Sequence, residues 1–286
     1  MELYELRRAL EEIGVEWEIA NQPVDASTRI GYLPSEGVEP LEQQETLARD
    51  LLDQSLGAAP PPVPAHDLRD VGGRSYVTPI RDQEQCLSCV AFAACAVVEG
   101  TLRVQEHGPD LEVDLSEACL YYCVAAGEGR TCFGETGGWQ PKKALAAIQA
   151  DGVPDEACFP YTSGDQACSA CSDWRSRATR ITGMVKLESH PAMKEWVATR
   201  GPAIASMMVY EDFQAYGGGA AYRHVLGNEI GGHAVTIVGY DDPGGYWILK
   251  NSWGENWGEA GFGRIAYGEC GIDSGMLGVD TVISPS

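Results

Sequence analysis

Positive charge is scarce in this chain: 20 Lys and Arg stand against 42 Asp and Glu, a net charge of −22 over 286 residues. Phosphate binding needs a basic face, so a nucleic-acid partner is not expected. Long hydrophobic runs are missing as well. No apolar stretch approaches the ~20 residues of a membrane helix, so no membrane partner is expected. The opening MELYELRRALEEIG carries charges throughout, without the continuous apolar stretch of a signal peptide. No internal repeat is evident. The glycine run Gly217–Gly219 lacks the strand-to-helix setting of a phosphate cradle and reads as a loop.

Cysteine, by contrast, is plentiful. Ten occur, at positions 86, 89, 95, 119, 123, 132, 158, 168, 171 and 270. That count points to disulfides in an oxidising, extracytoplasmic compartment, with secretion the expected localisation. Two CxxC pairs are present, Cys86/Cys89 and Cys168/Cys171. They lie far beyond the ~15–20 residues that separate the halves of a zinc ribbon. No βαβ pattern frames Cys86, which argues against a thioredoxin-like site. Neither a metal nor a cofactor is expected.

Apolar residues at 44% and this length allow one large or two small domains with a sizeable core. Leu3, Leu6, Leu10 and Ile13 recur at helical spacing before Gly14, and a second helix fits residues 41–56. The stretch AAPPPVPA at 58–65 reads as a linker. Beyond it, residues 89–106 form an almost wholly apolar helix, and Ser116 is placed to cap a helix at 117–125. Pro141 and Gly152 bracket another helix, and Pro191 to Arg200 a further one. Then strands dominate, at 203–209, 233–240, 245–252 and 262–267. Helices first and strands later predict an α+β protein of two segregated halves, with a cleft between them as the natural site.

The candidate chemistry lies in Gln83, Cys89, His233 and Asn251. A thiol is a weak nucleophile at its ordinary pKa of ~8.5. A helix N-terminus and a neighbouring imidazolium lower that value. Cys89 begins the apolar helix. His233 opens a strand after two glycines, a setting that lets an imidazole approach another segment. An Asn oxygen can fix the imidazole tautomer. A Gln side-chain N–H, with the Cys89 backbone N–H, can serve a developing oxyanion. His224, the nearby competitor, lacks this setting.

At this point the chain resembles the papain/cathepsin family of cysteine peptidases. The stretch YVTPIRDQEQCLSCVAFAACAVVEG is similar to that family's segment around its nucleophile. LSEACLYYC, TCFGETGGW, CFPY, GGHAVTIVGYDD and YWILKNSWGENWGEAGFGRIAYGECGID follow in the family's order. His233 lies 144 positions after Cys89, within the ~130–150 known for this arrangement. The resemblance implies a papain-like two-lobed fold, with a helical left lobe, a β-barrel-like right lobe and the site between them. It implies Cys89 as nucleophile, His233 as base and then acid, Asn251 as the orienting group and Gln83 as oxyanion donor. Trp253 would shield the His–Asn pair, and Cys86–Cys132 would be a disulfide beside the nucleophile. Gly137, Gly138, Trp139, Ser206, Ala234, Gly275 and Leu87 would bind substrate. Trp139, Ser206, Ala234 and Gly275 would form a pocket for an apolar side chain.

The first segment, with EWEIANQPV and RIGYLP, is similar to short family prosegments. Residues 1–60 are therefore expected to be an inhibitory prosegment, released near 58–62, and 61–286 the peptidase domain. With no histidine-bearing occluding loop evident, the expected function is a secreted zymogen-type thiol endopeptidase acting on polypeptides, with its own prosegment as inhibitor. Four positions depart from the family pattern. Leu68 and Val90 stand where Trp is usual, and Glu84 and Leu87 where Gly is usual. Those near the nucleophile motivate an alternative, an acyltransferase or amide ligase on the same scaffold; a non-catalytic binding module is the third reading. Cys123, Cys158, Cys168 and Cys171 are expected to form two bridges in an unspecified pairing, Cys95 and Cys119 to be core thiols, and Cys270 to lack its usual partner.

Overall fold

The computed structural model describes residues 1–20, 22, 23, 25, 29–32 and 63–285. The helix expected at 41–56 and the release point at 58–62 lie outside them.

Helix α1 spans Leu3–Ile13 and buries Leu6 and Leu10, the inward pair of its i, i+4 pattern. Gly14 ends it in a left-handed conformation, and its N–H reaches the Leu10 carbonyl. Strand β1, Trp17–Ile19, follows. The last part of the proline-rich stretch is not a spanning linker. Asp242 N–H donates to the Pro64 carbonyl, and β2, Ala65–Asp67, pairs antiparallel with Gly239–Asp241. Backbone pairing outweighs local composition there.

The left lobe is built on α2, Cys89–Gln105. Its first seven residues include six that are buried hydrophobics or Cys at the head of one core cluster. An apolar surface on nearly all sides marks a helix enclosed by its neighbours. Ser116 Oγ accepts from Cys119 N–H at 2.9 Å, the capping bond its position predicts. Residues Cys119–Ala125 then wind as a π-helix, which the sequence pattern does not announce. Helix α3, Pro141–Ala150, has proline in its first turn. Three disulfides tie this lobe: Cys86–Cys132, Cys123–Cys168 and Cys158–Cys171. Cys95 and Cys119 are buried thiols.

The right lobe is an antiparallel sheet. Its strands are β4 (Met184–Leu187), β5 (Ala203–Tyr210), β7 (Glu229–Asp241), β8 (Tyr246–Lys250), β9 (Phe262–Ala266) and β10 (Met276–Val279). The order is β4-β10-β5-β7-β8-β9, with β2 added along β7. Helix α4, His190–Thr199, packs against this sheet. Two short strands, β3 (Arg180–Ile181) and β11 (Val282–Ile283), pair separately.

The glycine run expected as a loop is instead strand β6, Tyr216–Gly219, paired antiparallel with β1. Glycines make room here. A Cβ on Gly217 would meet the Ala20 backbone nitrogen at 2.7 Å. Trp17 sinks beside this pairing between Tyr216 and Tyr222. The N-terminal segment is thereby fastened to the right lobe.

Candidate active site

Cys89 is the first residue of α2, and His233 lies within β7, so the lobe contact between α2 and β7 brings them together. The Ala234 backbone N–H points at Cys89 Sγ at 3.4 Å. His233 Nε2 is 2.8 Å from Asn251 Oδ1, which also accepts from Ser252 N–H. With Nε2–H committed to that oxygen, the lone pair falls on Nδ1, a buried atom with no protein hydrogen-bond partner. Trp253 packs over the imidazole at a ring separation of 4.8 Å. Low polarity around the His–Asn pair strengthens that bond.

Gln83 is wholly buried. Its Nε2 donates to the Cys86 carbonyl at 2.7 Å, leaving a second N–H. Its Oε1 accepts from Ser252 Oγ at 2.7 Å, and its backbone carbonyl from Tyr161 OH at 2.8 Å. Ser252 and the Cys86 carbonyl thus fix the side-chain amide, and Tyr161 holds the backbone beneath it. Ser252 and Tyr161 stand within KNSWG and CFPY, yet their sequence signal is only that they belong to those motifs. The Cys86–Cys132 bridge supports the same loop, because Leu87 N–H donates to the Cys132 carbonyl.

The described part of the N-terminal segment crosses this site. Trp253 Nε1 donates to the Arg29 carbonyl at 3.3 Å, and Arg29 pairs with Asp82. Gly31 and Tyr32 N–H groups both reach the Gly232 carbonyl at 3.0 Å, and Trp139 N–H donates to the Gly31 carbonyl at 2.7 Å. These residues touch Leu87, Gly232 and Trp253, the immediate neighbours of the thiol and the imidazole. Gly137, Gly138, Trp139, Ser206, Ala234 and Leu87 gather around the segment. Gly138 is left-handed, and a Cβ there would meet the Gly31 carbonyl at 2.5 Å. Leu87 turns its side chain onto Gly137, where a Cβ would meet its Cδ1 at 2.2 Å. Gly275 adjoins β10 on the Ser206 side, by the pairing of Met276 with Ala205.

Cys89 and His233 are both 0% exposed. Burial pushes the thiol up to about 12, against backbone N–H groups of Ala234, Val90 and Cys89 itself that favour the thiolate. Burial also lowers His233 to about 4, against the Asn251 bond that favours the imidazolium. The expectation of a lowered thiol pKa is therefore reversed in this covered arrangement. Desolvation disfavours both charged forms and exceeds the helix and hydrogen-bond contributions. Burial thus favours the neutral thiol and the neutral imidazole, and no hydrogen bond joins Cys89 Sγ to His233 Nδ1.

Two of the unusual residues have structural duties. Glu84 accepts from Ser163 Oγ at 2.8 Å, and Val90 is enclosed in the left-lobe core. His224 contacts Asp212 at 3.0 Å. Among the described residues, no group of three or more His, Cys, Asp or Glu is arranged to hold a metal.

Comparison with known proteins gives one family. The model of the papain family cysteine proteases matches residues 63–279. Fruit bromelain of Ananas comosus is 32% identical over 243 residues, 84% of this chain and 63% of that protein. Cathepsin K of Mus musculus is 32% identical over 212 residues, 72% of this chain and 62% of that protein. The chain thus spans somewhat under two thirds of the length of these relatives. Among solved structures, proCathepsin B S9 from Trypanosoma congolense superposes with a TM-score of 0.76 at 22% identity, over 98% of this chain and 99% of that one, a likeness of fold. The bromelain protease from Ananas comosus in complex with the E64 inhibitor gives 0.59 at 31% identity, over 76% and 98%. By the match of 63–279 together with these relatives, the chain belongs to the papain family of cysteine proteases.

Proposed function

We propose that the chain is the zymogen of a thiol endopeptidase, with residues 1–60 as prosegment and 61–286 as the catalytic domain. The observation that carries the reading is a buried thiol under a backbone N–H, beside an Asn-held imidazole, with residues 29–32 laid across both. Three disulfides fit a secreted or otherwise extracytoplasmic working place.

With residues 29–32 removed, water and substrate reach the thiol and its desolvation penalty falls. Cys89 Sγ attacks the scissile carbonyl carbon as its proton passes to His233 Nδ1. The carbonyl oxygen becomes an oxyanion, met by the Cys89 backbone N–H and the second N–H of Gln83. The tetrahedral species collapses. The C–N bond breaks, the imidazolium protonates the leaving amine, and an acyl thioester remains on Cys89. Water then attacks the thioester, giving its proton to His233, and the acid product leaves as the thiol is restored. Asn251 keeps the imidazole in the required tautomer throughout, and Trp253 keeps water from their bond.

The alternative, acyl transfer to an amine instead of water, rests on Glu84, Leu87 and Val90. Glu84 bonds Ser163 and Val90 is buried in the left-lobe core, so of the three only Leu87 is placed beside Gly31 and Gly137. The test is intact mass before and after acidification under mild reduction, for the full chain and its Cys89→Ala variant. Loss of about 60 N-terminal residues from the wild type alone supports the reading. Equal loss from both, or no reaction of Cys89 with an epoxysuccinyl reagent after release, overturns it.

A further inference from the structure

Asp82 and Trp253 are joined by an isolated antiparallel bridge. Gln83, the oxyanion donor, follows the first, and the ring of the second packs on His233. His233 protonates the leaving amine, so this is the leaving-group side of the cleft, with Leu87 and Gly137 on the other. The covering segment puts a cation here. Arg29 Nη1 donates to Asp82 Oδ1 in an ion pair, while the Arg29 carbonyl accepts from Trp253 Nε1 at 3.3 Å.

The Asp82 carboxylate is held in place for that cation. Its Oδ1 also accepts from Glu84 N–H at 2.8 Å. Its Oδ2 lies against Gly254, where a Cβ would come within 2.8 Å and crowd the oxygen. Among the described residues, Arg29 is the one cation within ion-pairing distance of Asp82. Arg81, its neighbour in the chain, turns to Asp114. Glu84 adds a second negative charge two positions on, and its carboxylate accepts the Ser163 hydroxyl, not a cation. When residues 29–32 leave, this edge keeps two carboxylates and loses the guanidinium that Asp82 was holding.

We infer that Asp82 is a specificity-determining residue of the leaving-group side, selecting peptides that carry Arg or Lys shortly after the scissile bond. The inference rests on the peptidase reading above and adds a substrate class to it. The seated guanidinium marks the place: a substrate cation entering from solvent takes over the partner that Arg29 gives up. In the covered chain the Arg29 side chain is 17% exposed and that of Asp82 40%, so the pair is partly screened by water. Such a pair corresponds to about a 2- to 5-fold preference. Its effect belongs in the ratio between charged and neutral substrates, not in the chemical steps.

The test takes the full chain, activated by its own processing, against paired peptides with Arg or neutral citrulline at the first, second or third residue after the scissile bond. Wild type is expected to favour Arg by about 2- to 5-fold in kcat/KM at one of these positions. Asp82→Asn, which keeps an Oδ1 acceptor for Glu84 N–H, should bring that ratio near one. Asp82→Lys should favour Glu over Gln at the same position. The uncut chain gives a second reading. Arg29→Gln and Asp82→Asn should each speed alkylation of Cys89 several-fold, and the double variant no more than either alone. Cleavage with no Arg preference in the wild type overturns the inference alone. So does a preference that survives Asp82→Asn, which would trace to the overall negative charge of the chain. Additive effects on alkylation overturn it as well. Absence of cleavage of every peptide, with Cys89 exposed and alkylatable, overturns the peptidase reading and this inference with it.

Discussion

A methyl group added to Gly31 would lie 2.1 Å from the carbonyl oxygen of Leu87. That oxygen is held by Tyr121 OH at 3.1 Å and belongs to a loop tied by the Cys86–Cys132 bridge. It has little room to yield, so the segment must rise instead. Gly31→Ala is therefore expected to speed alkylation of Cys89 in the uncut chain by about 10-fold or more, at the usual cost of overpacking. An unchanged rate would mean that residues 29–32 do not protect the thiol.

The pH dependence of the cover follows from the two buried groups. His233 stands at about 4 when covered, against an ordinary 6.5. Between those values an uncovered imidazole binds a proton and the covered one does not. Its contribution to holding the cover is complete above 6.5 and falls as pH drops toward 4, by about 1.4 kcal/mol per pH unit. Cys89 has the opposite sign. Its contribution is complete below the ordinary 9.0 and falls as pH rises toward about 12. The cover should be tightest near pH 7–8 and loosen first on the acid side. Hydrogen exchange at the Gly31 and Tyr32 amides of the Cys89→Ala chain, corrected for intrinsic rates, should show protection reduced about 50-fold between pH 7 and 4.5. Flat protection would show that His233 does not titrate across this window.

Much of the site is legible in the chain. Cys89 begins an apolar run, and the residues around His233 and Asn251 carry family motifs. Contacts between distant segments are less visible. β6 is four residues with three glycines, and nothing in its side chains announces a strand. Its pairing with β1 is made by backbone groups. β2 begins at the end of a proline-rich stretch, for the same reason. The ionisation of Cys89 is the deepest case. Its helix N-terminus argues for a low pKa, but its complete burial reverses the direction.

Asn251 should act on the rate more than on binding. Removing its oxygen in Asn251→Ala leaves the buried His233 Nε2 unpartnered and its tautomer unfixed. A loss of about 10²-fold in kcat with KM little changed is expected, as for a misplaced catalytic group. A fall confined to KM would assign Asn251 to substrate binding.

Gln83→Ala should cost about 10²- to 10³-fold in kcat, the usual price of one oxyanion donor. The Ser252 bond that fixes the amide oxygen predicts that Ser252→Ala lowers kcat in the same direction by less. Steady-state kinetics on the processed variants decides it. Wild-type kcat in Gln83→Ala would remove this residue from the chemistry.

Leu87→Gly should widen the site beside Gly137, where the leucine side chain now sits. Peptides with a large residue just before the scissile bond should gain relative to those with a small one. An unaltered ranking across such a series would show that Leu87 does not restrict the substrate.

The pairing of β1 with β6 holds the N-terminal segment at a point separate from the cleft, at Trp17 and Ile19. Residues 29–32 can therefore lift from Cys89 while the chain stays tethered nearby. Rebinding is then unimolecular, at an effective concentration set by the tether and independent of how dilute the protein is. If the segment inhibits, as proposed, dilution does not relieve it. On the zymogen reading proposed above, a peptide of the same sequence added from outside would need to match that local concentration, and cutting the connection to residues 61–286 would turn a permanent occupant into an ordinary competitor.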